Sequence, residues 1–216
     1  MTADEARDRY LAAIRRGSRR EALAVVDDAL AGGLPVRALY LEVFQPAMHE
    51  VGRLWQENRI TVADEHLATA ITQMAMSRLY ETLFGDRVDT GPLLLAACAD
   101  DERHELGLRM ICDLLELEGW DTVFLGASVP VGDLVAMVRE RRPAVVALSA
   151  AITPHLPRVR EAVDAIRAAL PRGGPVIAIG GRAFAADPAL AERLGADLTA
   201  RDAVEVAERL KERFAE

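Results

Sequence analysis

The sequence predicts an α/β protein in two parts. An N-terminal four-helix bundle is expected over residues 1–85, followed by a flavodoxin- or Rossmann-like parallel sheet over residues 91–216. Two changes along the chain predict this. Apolar residues of the first part recur at helical spacing between recognisable helix caps, whereas the second part alternates short apolar runs with helical stretches. Between them lies "GDRVDTG" (85–91), turn-formers and charges without periodicity, which reads as a linker.

The helices of the first part can be taken in order. Thr2-x-x-Glu5 is a capping-box pattern, and the helix it opens places Ala6, Tyr10 and Ile14 on one face. Ser18-x-x-Glu21 opens a second helix, which should stop at Gly32-Gly33. Pro35 suits the first turn of a third, carrying Leu39, Val43, Met48, Val51 and Leu54 inward, with a kink at Pro46. The tight connection "ENRI" leads to Thr61 as N-cap of a fourth helix bearing Leu67, Ile71, Met74 and Leu83. Connections this short favour antiparallel neighbours, and so a bundle.

After the linker, the runs "PLLLAACA", "DTVFLGA", "AVVALSA", "PVIAIGG" and a weak "ADLTA" read as strands. The segments between them, "HELGLRMICDLLELEGW", "VGDLVAMVRERR", "LPRVREAVDAIRAAL" and "ALAERLG", read as helices. Such repetition calls for a parallel sheet covered on both faces.

Composition narrows the function. With 26 basic and 34 acidic side chains the net charge is −8, which disfavours nucleic acid and anionic membrane as partners. The cluster Arg15, Arg16, Arg19, Arg20 reads as a solvated face. No apolar run approaches a membrane span, and "MTADEARDRY" has no signal-peptide character, so the cytoplasm is expected. Cys98 and Cys112 read as core thiols, with no CxxC pair to suggest zinc or redox work.

In a parallel sheet the loops leaving the carboxyl ends of the strands line the ligand-binding edge. Here the first carries Glu102-x-His104-x-x-Gly107, the second Ser149-Ala150-Ala151 with Thr153, and the third Gly180-Gly181. Each has an ordinary reading alone: His104 as a cap or loop residue, Ser149 and Thr153 as helix caps, the glycines as a turn. No G-x-G-x-x-G follows the first strand, which argues against a nicotinamide or flavin enzyme.

Together the three loops resemble the cobalamin-binding module, whose pattern is D/E-x-H-x-x-G, then S-x-L/V with a nearby Thr, then GG. The resemblance implies His104 as lower axial cobalt ligand and Glu102 as the acid that orients its ring. It implies that Gly107 makes room for the nucleotide tail of the cofactor. Ser149 and Thr153 would bond the displaced benzimidazole, and Gly180-Gly181 would floor its channel. Glu102 for the commoner Asp, and Ala151 for a larger apolar residue, are mild departures.

The bundle contributes "LWQENRITVADEHLA". Trp55 near the end of the third helix, with Glu65 and His66 in the first turns of the fourth, could be core, helix-terminus charge and surface residue respectively. Yet W-x(9)-E-H resembles CarH-type photoreceptors. In that family the bundle covers the upper axial face, where an indole, a carboxylate and an imidazole suit a 5′-deoxyadenosyl group. The family's position after the Trp is a His that can ligate cobalt once light has expelled that group. Here it is Gln56, which leaves His49, His66, His155 or water for the role.

The resemblance covers about residues 5–215 and implies a light sensor, not an enzyme, that binds adenosylcobalamin (cobalt included) and responds when light breaks the cobalt–carbon bond. CarH-type proteins begin with a helix-turn-helix DNA-binding domain, and no such segment precedes the bundle in this sequence. Direct DNA binding is therefore not expected, and the signal is expected to pass through a light-dependent homo-oligomer or a separate signalling partner. The rival reading is a methylcobalamin carrier subunit of a methyltransferase system, in which the bundle and lower ligand look the same.

Overall fold

The computed structural model describes residues 1–84, 91–187, 189–200 and 202–214. The expected linker at 85–91 falls, apart from Gly91, outside the described residues. The chain divides into two compact units, Met1–Arg87 and Val88–Glu216.

In the first unit, α1 (Ala3–Arg15) starts at the expected box: Glu5 N–H donates to the Thr2 hydroxyl, and Thr2 N–H donates to the Glu5 carboxylate. Helix α2 (Arg19–Ala31) begins after Ser18, whose hydroxyl accepts from Glu21 N–H, and ends at Gly32, with Gly33 at φ +81°. The third helical run is more complex than its sequence suggests. It comprises α3 (Val36–Ala38), a π-helical stretch Leu39–Phe44, and α4 (Gln45–Gln56). Pro35 is the cap of α3, one residue earlier than expected. The π stretch, in which Gln45 N–H reaches Tyr40 C=O, ends just before Pro46. A proline ring clashes with the carbonyl four residues back, and the wider turn relieves that clash where a simple kink was expected.

Helix α4 ends in a Schellman motif. Arg59 N–H donates to Leu54 C=O, Asn58 N–H donates to Trp55 C=O, and Asn58 is left-handed at φ +55°. Helix α5 (Val62–Phe84) then starts from a reciprocal cap between Thr61 and Asp64. Its inward stripe is Ala68, Ile71, Thr72, Ala75, Met76 and Leu79. Leu67 and Met74, expected inside with Ile71, are instead partly exposed, and the side chain of Leu83 lies outside the described residues. Alanines on the buried stripe let α5 lie close to its neighbours, so bulk moves one position round the helix. Inside, Tyr10, Tyr40 and Phe44 form an aromatic cluster, and the Tyr10 hydroxyl donates to Thr72.

The second unit is a five-stranded parallel sheet: β1 (Leu93–Cys98), β2 (Asp121–Gly126), β3 (Val145–Ser149), β4 (Val176–Gly180) and β5 (Leu198–Thr199), in the order β2-β1-β3-β4-β5. Side chains alternate between faces with period two. Leu95, Ala97, Val146, Leu148, Ile177 and Ile179 pack against α7 (Val131–Arg141) and α8 (Leu156–Ala169). Leu94, Ala96, Val145, Ala147 and Ala178 face the other way, against α6 (Leu106–Leu117) and α10 (Ala203–Phe214). Between α8 and α10 the chain forms the short α9 (Ala189–Arg193). Helix α10 follows Asp202, whose carboxylate accepts from Glu205 N–H, and buries Val206, Ala207 and Leu210 at helical spacing.

Strands β1 and β3 are neighbours, but the helices that follow them, α6 and α8, cover opposite faces. The chain therefore diverges between these two strands, which opens a crevice at their carboxyl ends, where ligands bind in this class of sheet.

Candidate functional site

The loop leaving β1 is clamped at that crevice. Ala99 N–H donates to Ser149 C=O at the end of β3 (3.1 Å), and Ser128 N–H, after β2, donates to Glu102 C=O (2.8 Å). Asp101 sits at φ +68°, which turns the chain so that the Glu102 side chain points inward and is wholly buried.

Four donors converge on the Glu102 carboxylate. Oε1 accepts from His104 N–H at 2.8 Å and lies 2.5 Å from His104 Nδ1. Oε2 accepts from Ala151 N–H at 2.7 Å and lies 2.9 Å from His155 Nδ1. Burial works to raise its pKa, but the hydrogen bonds from His104, His155 and Ala151 outweigh that and hold the carboxyl well below the usual carboxylate range. A buried anion with both oxygens occupied is a fixed reference point for whatever it touches.

The His104 ring, with its side chain 47% exposed, gives Nδ1 to Glu102. A metal ligand on this ring would be Nε2, and a carboxylate on the opposite nitrogen is the usual partner of a ligating imidazole. Next along the chain, Gly107 is the second residue of α6, and a Cβ built there would meet nothing within 4 Å. The protein's own packing does not require glycine at 107, so the space beside it suits a ligand. Gly180 is similarly open, since a Cβ would make only an ordinary contact with Ala200 C=O at 3.5 Å. Gly181 differs. Its φ is +108°, and a Cβ would lie 2.2 Å from Ala150 C=O, so this glycine is needed for the β4 loop to lie against the β3 loop.

Ser149 ends β3, and Thr153 opens a 3₁₀ turn, Thr153–His155. Neither hydroxyl caps that turn or α8. The helix-cap alternative for both is thereby removed. His155, one of the candidates for an upper cobalt ligand, directs Nδ1 at the same Glu102 carboxylate as His104. Sequence reasoning missed its part in the Glu102 cluster, because nothing at 53 residues' separation marks two side chains as partners.

In the first unit, the end of the α4–α5 hairpin holds an open cavity of about 390 Å³ lined by Trp55, Asn58, Arg59, Ile60, Thr61, Val62 and Asp64. The Schellman turn leaves Trp55 37% exposed. Glu65 and His66 do not line this cavity. They pair with each other (His66 Nδ1 to Glu65 Oε2, 2.7 Å), Thr69 donates to Glu65 Oε1, and the His66 side chain is 72% exposed. Among the described residues no group of three or more His, Cys, Asp or Glu side chains could hold a metal ion. Cobalt in a corrin needs none, because the ring itself supplies the equatorial nitrogens. The donor set around His104 and the spare room at Gly107 fit such a group.

These features define a cobalamin-binding protein, and comparison with known proteins agrees. Two family profiles, each described as a B12 binding domain, match residues 6–80 and 92–210, and the chain belongs to the B12-binding domain family. It is 33% identical over 192 residues to the HTH-type transcriptional repressor CarH of Myxococcus xanthus, covering 89% of this chain but only 62% of that protein. It is 23% identical to trimethylamine corrinoid protein 1 of Methanosarcina acetivorans, covering 88% of each. The fold matches that of the Methanosarcina barkeri monomethylamine corrinoid protein, with a TM-score of 0.86, 22% identity, and coverage of 99% of this chain and all of that one. By name these relatives are a transcriptional repressor and corrinoid proteins. No helix among the described residues is long and apolar enough to cross a membrane.

Proposed function

We propose that this protein is an adenosylcobalamin-dependent light sensor. When bound, adenosylcobalamin supplies a cobalt–carbon bond that visible light breaks. His104 would hold the metal through Nε2, Glu102 would fix the ring, and Ser149 and Thr153 would bond the cofactor's displaced base. Gly107 and Gly180 leave room for the nucleotide tail. Trp55 would stack against the adenosyl group, and Glu65 and His66 would hydrogen-bond its sugar and base.

The observation that carries this reading is the indole of Trp55, left open to an adjacent cavity of about 390 Å³ at the end of the α4–α5 hairpin. A methyl group has no use for a flat apolar platform with polar neighbours, whereas an adenosyl group has. The identity to CarH supports the same reading. A change in self-association, or in the grip on a separate partner, carries the signal.

The carrier reading is favoured by one observation: similarity to the trimethylamine corrinoid protein extends over 88% of both chains. Illumination separates the two. The adenosylcobalamin complex should change its absorbance under green light and bind methylcobalamin more weakly. An unchanged spectrum with equal affinity for both forms would leave the carrier reading standing.

A further inference from the structure

One group of arginines stands where helix electrostatics disfavour it. Arg19 and Arg20 form the first turn of α2, whose free N–H groups make that end partly positive. Arg15 and Arg16 close α1, just across the turn at Gly17. All four side chains are exposed. Glu21 is the one carboxylate in the first turn of α2, and it pairs with Arg16. Among the described residues, the side chains of Arg15, Arg19 and Arg20 make no ion pair or hydrogen bond. In a chain of net charge −8, positive charge collected at a helix N-terminus offsets nothing within the fold.

Beside these arginines runs an apolar seam. Helices α2 and α5 rise side by side from this end of the bundle. A Cβ at Gly17 would lie 2.7 Å from Leu67 Cδ2 in the second turn of α5, and further along Asp27 pairs with Arg78 at 2.9 Å. Residues seven apart share one side of a helix. Leu23 and Leu30 repeat at that spacing on α2, as Leu67 and Met74 do on α5. Asp27 and Arg78 each follow by four residues, Leu23 and Met74 respectively, so the bridge and both apolar pairs border the same seam. Leu23 and Leu30 are half-buried there, while Leu67 and Met74 are 45% and 36% exposed.

We propose that the α2–α5 seam is a docking site for an acidic, amphipathic helix of a separate partner protein. Such a helix lays apolar residues at three- and four-residue spacing along a surface of this kind. Carboxylates at the end that meets the start of α2 supply the counter-charge that Arg15, Arg19 and Arg20 lack. The Asp27–Arg78 pair further along is neutral, so charge fixes the direction in which the helix lies. A nucleic acid would need a longer cationic track and would meet an apolar seam instead. Every group involved belongs to the first unit, so the proposal stands whether the cofactor carries adenosyl or methyl.

The full-length chain is titrated with a synthetic helical peptide bearing leucines at heptad spacing and glutamates at one end, followed by fluorescence anisotropy. The proposal expects saturable binding that weakens as salt rises. Combining Arg19→Glu with Arg20→Glu should weaken it at least about 10-fold. The unfolding midpoint should hold or rise in that variant, because carboxylates suit a helix N-terminus. A peptide with lysines in place of the glutamates should bind the charge-reversed variant and not the natural chain. Met74→Gln should weaken binding of the acidic peptide, and Arg139→Glu, on the second unit, should not.

Absence of binding would overturn the proposal. So would equal binding of a peptide with glutamines for glutamates, or unchanged binding by the charge-reversed variant. Loss of a self-associated form in that variant without peptide would make the occupant a second copy of this chain, and tighter binding of duplex DNA than of the peptide would make it a nucleic acid. Either result contradicts an acidic partner helix.

Discussion

The two candidate sites are built on opposite plans. Trp55, Glu65 and His66 lie within a dozen residues of one another on a helix hairpin, held by a Schellman turn, a Thr61–Asp64 cap and pairing between sequence neighbours. Glu102, His104, Ala151 and His155 come from two loops brought together by adjacent parallel strands, and are fixed by hydrogen bonds to a carboxylate with no exposure. The first plan gives an open surface, as the proposed departure of an adenosyl group would require. The second gives a rigid mount suited to a ligand that must stay.

The largest effect should follow from removing the mount. Glu102→Ala strips four hydrogen bonds from the crevice and should cost the second unit about 3 kcal/mol, read by thermal or denaturant unfolding, and weaken cobalamin binding roughly 100-fold. A stable variant that binds with undiminished affinity would show that the carboxylate is dispensable.

Two glycine substitutions sharpen the contrast between space kept for packing and space kept for a ligand. Gly181→Ala should destabilise the fold by about 2 kcal/mol or more, since its Cβ meets Ala150 C=O in a left-handed backbone. Gly107→Ala should instead leave the apo-protein intact, or stabilise it by about 0.5 kcal/mol, because alanine is the better helix residue. It should nonetheless weaken cobalamin binding. Calorimetry paired with a cobalamin titration reads both.

On the hairpin, Trp55→Ala removes a partly exposed ring, so unfolding should change little. The affinity for adenosylcobalamin should fall roughly 10-fold, about 1.4 kcal/mol, the scale of one aromatic contact. Affinity for hydroxocobalamin should stay within a factor of about two, since no adenosyl group meets the indole. An equal loss for both forms would assign Trp55 to the corrin instead.

The smallest effect concerns the thiols. Burial, and then the charges of Glu102 and Glu105, push Cys98 up to about 12, and burial with Asp113 and Glu116 pushes Cys112 higher still. A raised thiol pKa keeps the protonated, unreactive form across neutral pH. Neither cysteine should be alkylated at pH 8 without denaturant, and mass spectrometry after iodoacetamide checks this.

Much of this was legible beforehand, for identifiable reasons. Caps such as Thr2 and Ser18 and the period-two strands are written in a few adjacent residues, and local hydrogen bonds realise them. The π stretch before Pro46 was not legible, because a kink and a wide turn answer the same steric clash. Leu67 and Met74 were misplaced because the buried face of α5 is carried by alanines, which hydropathy underweights against leucine. At the site, Glu102 and His104 were readable because they lie two residues apart, whereas His155 joins them only through the pairing of β1 with β3.

The claim on which the whole account turns is that His104 replaces the cofactor's own base on cobalt. Electron paramagnetic resonance of the protein loaded with cobalamin reduced to cobalt(II) tests it directly, using chain labelled with ¹⁵N-histidine. An axial imidazole from the protein converts the three-line nitrogen splitting of unlabelled protein to two lines on labelling, and His104→Ala should abolish that conversion. Three lines in the labelled protein would mean that benzimidazole still holds the metal, and would contradict the account.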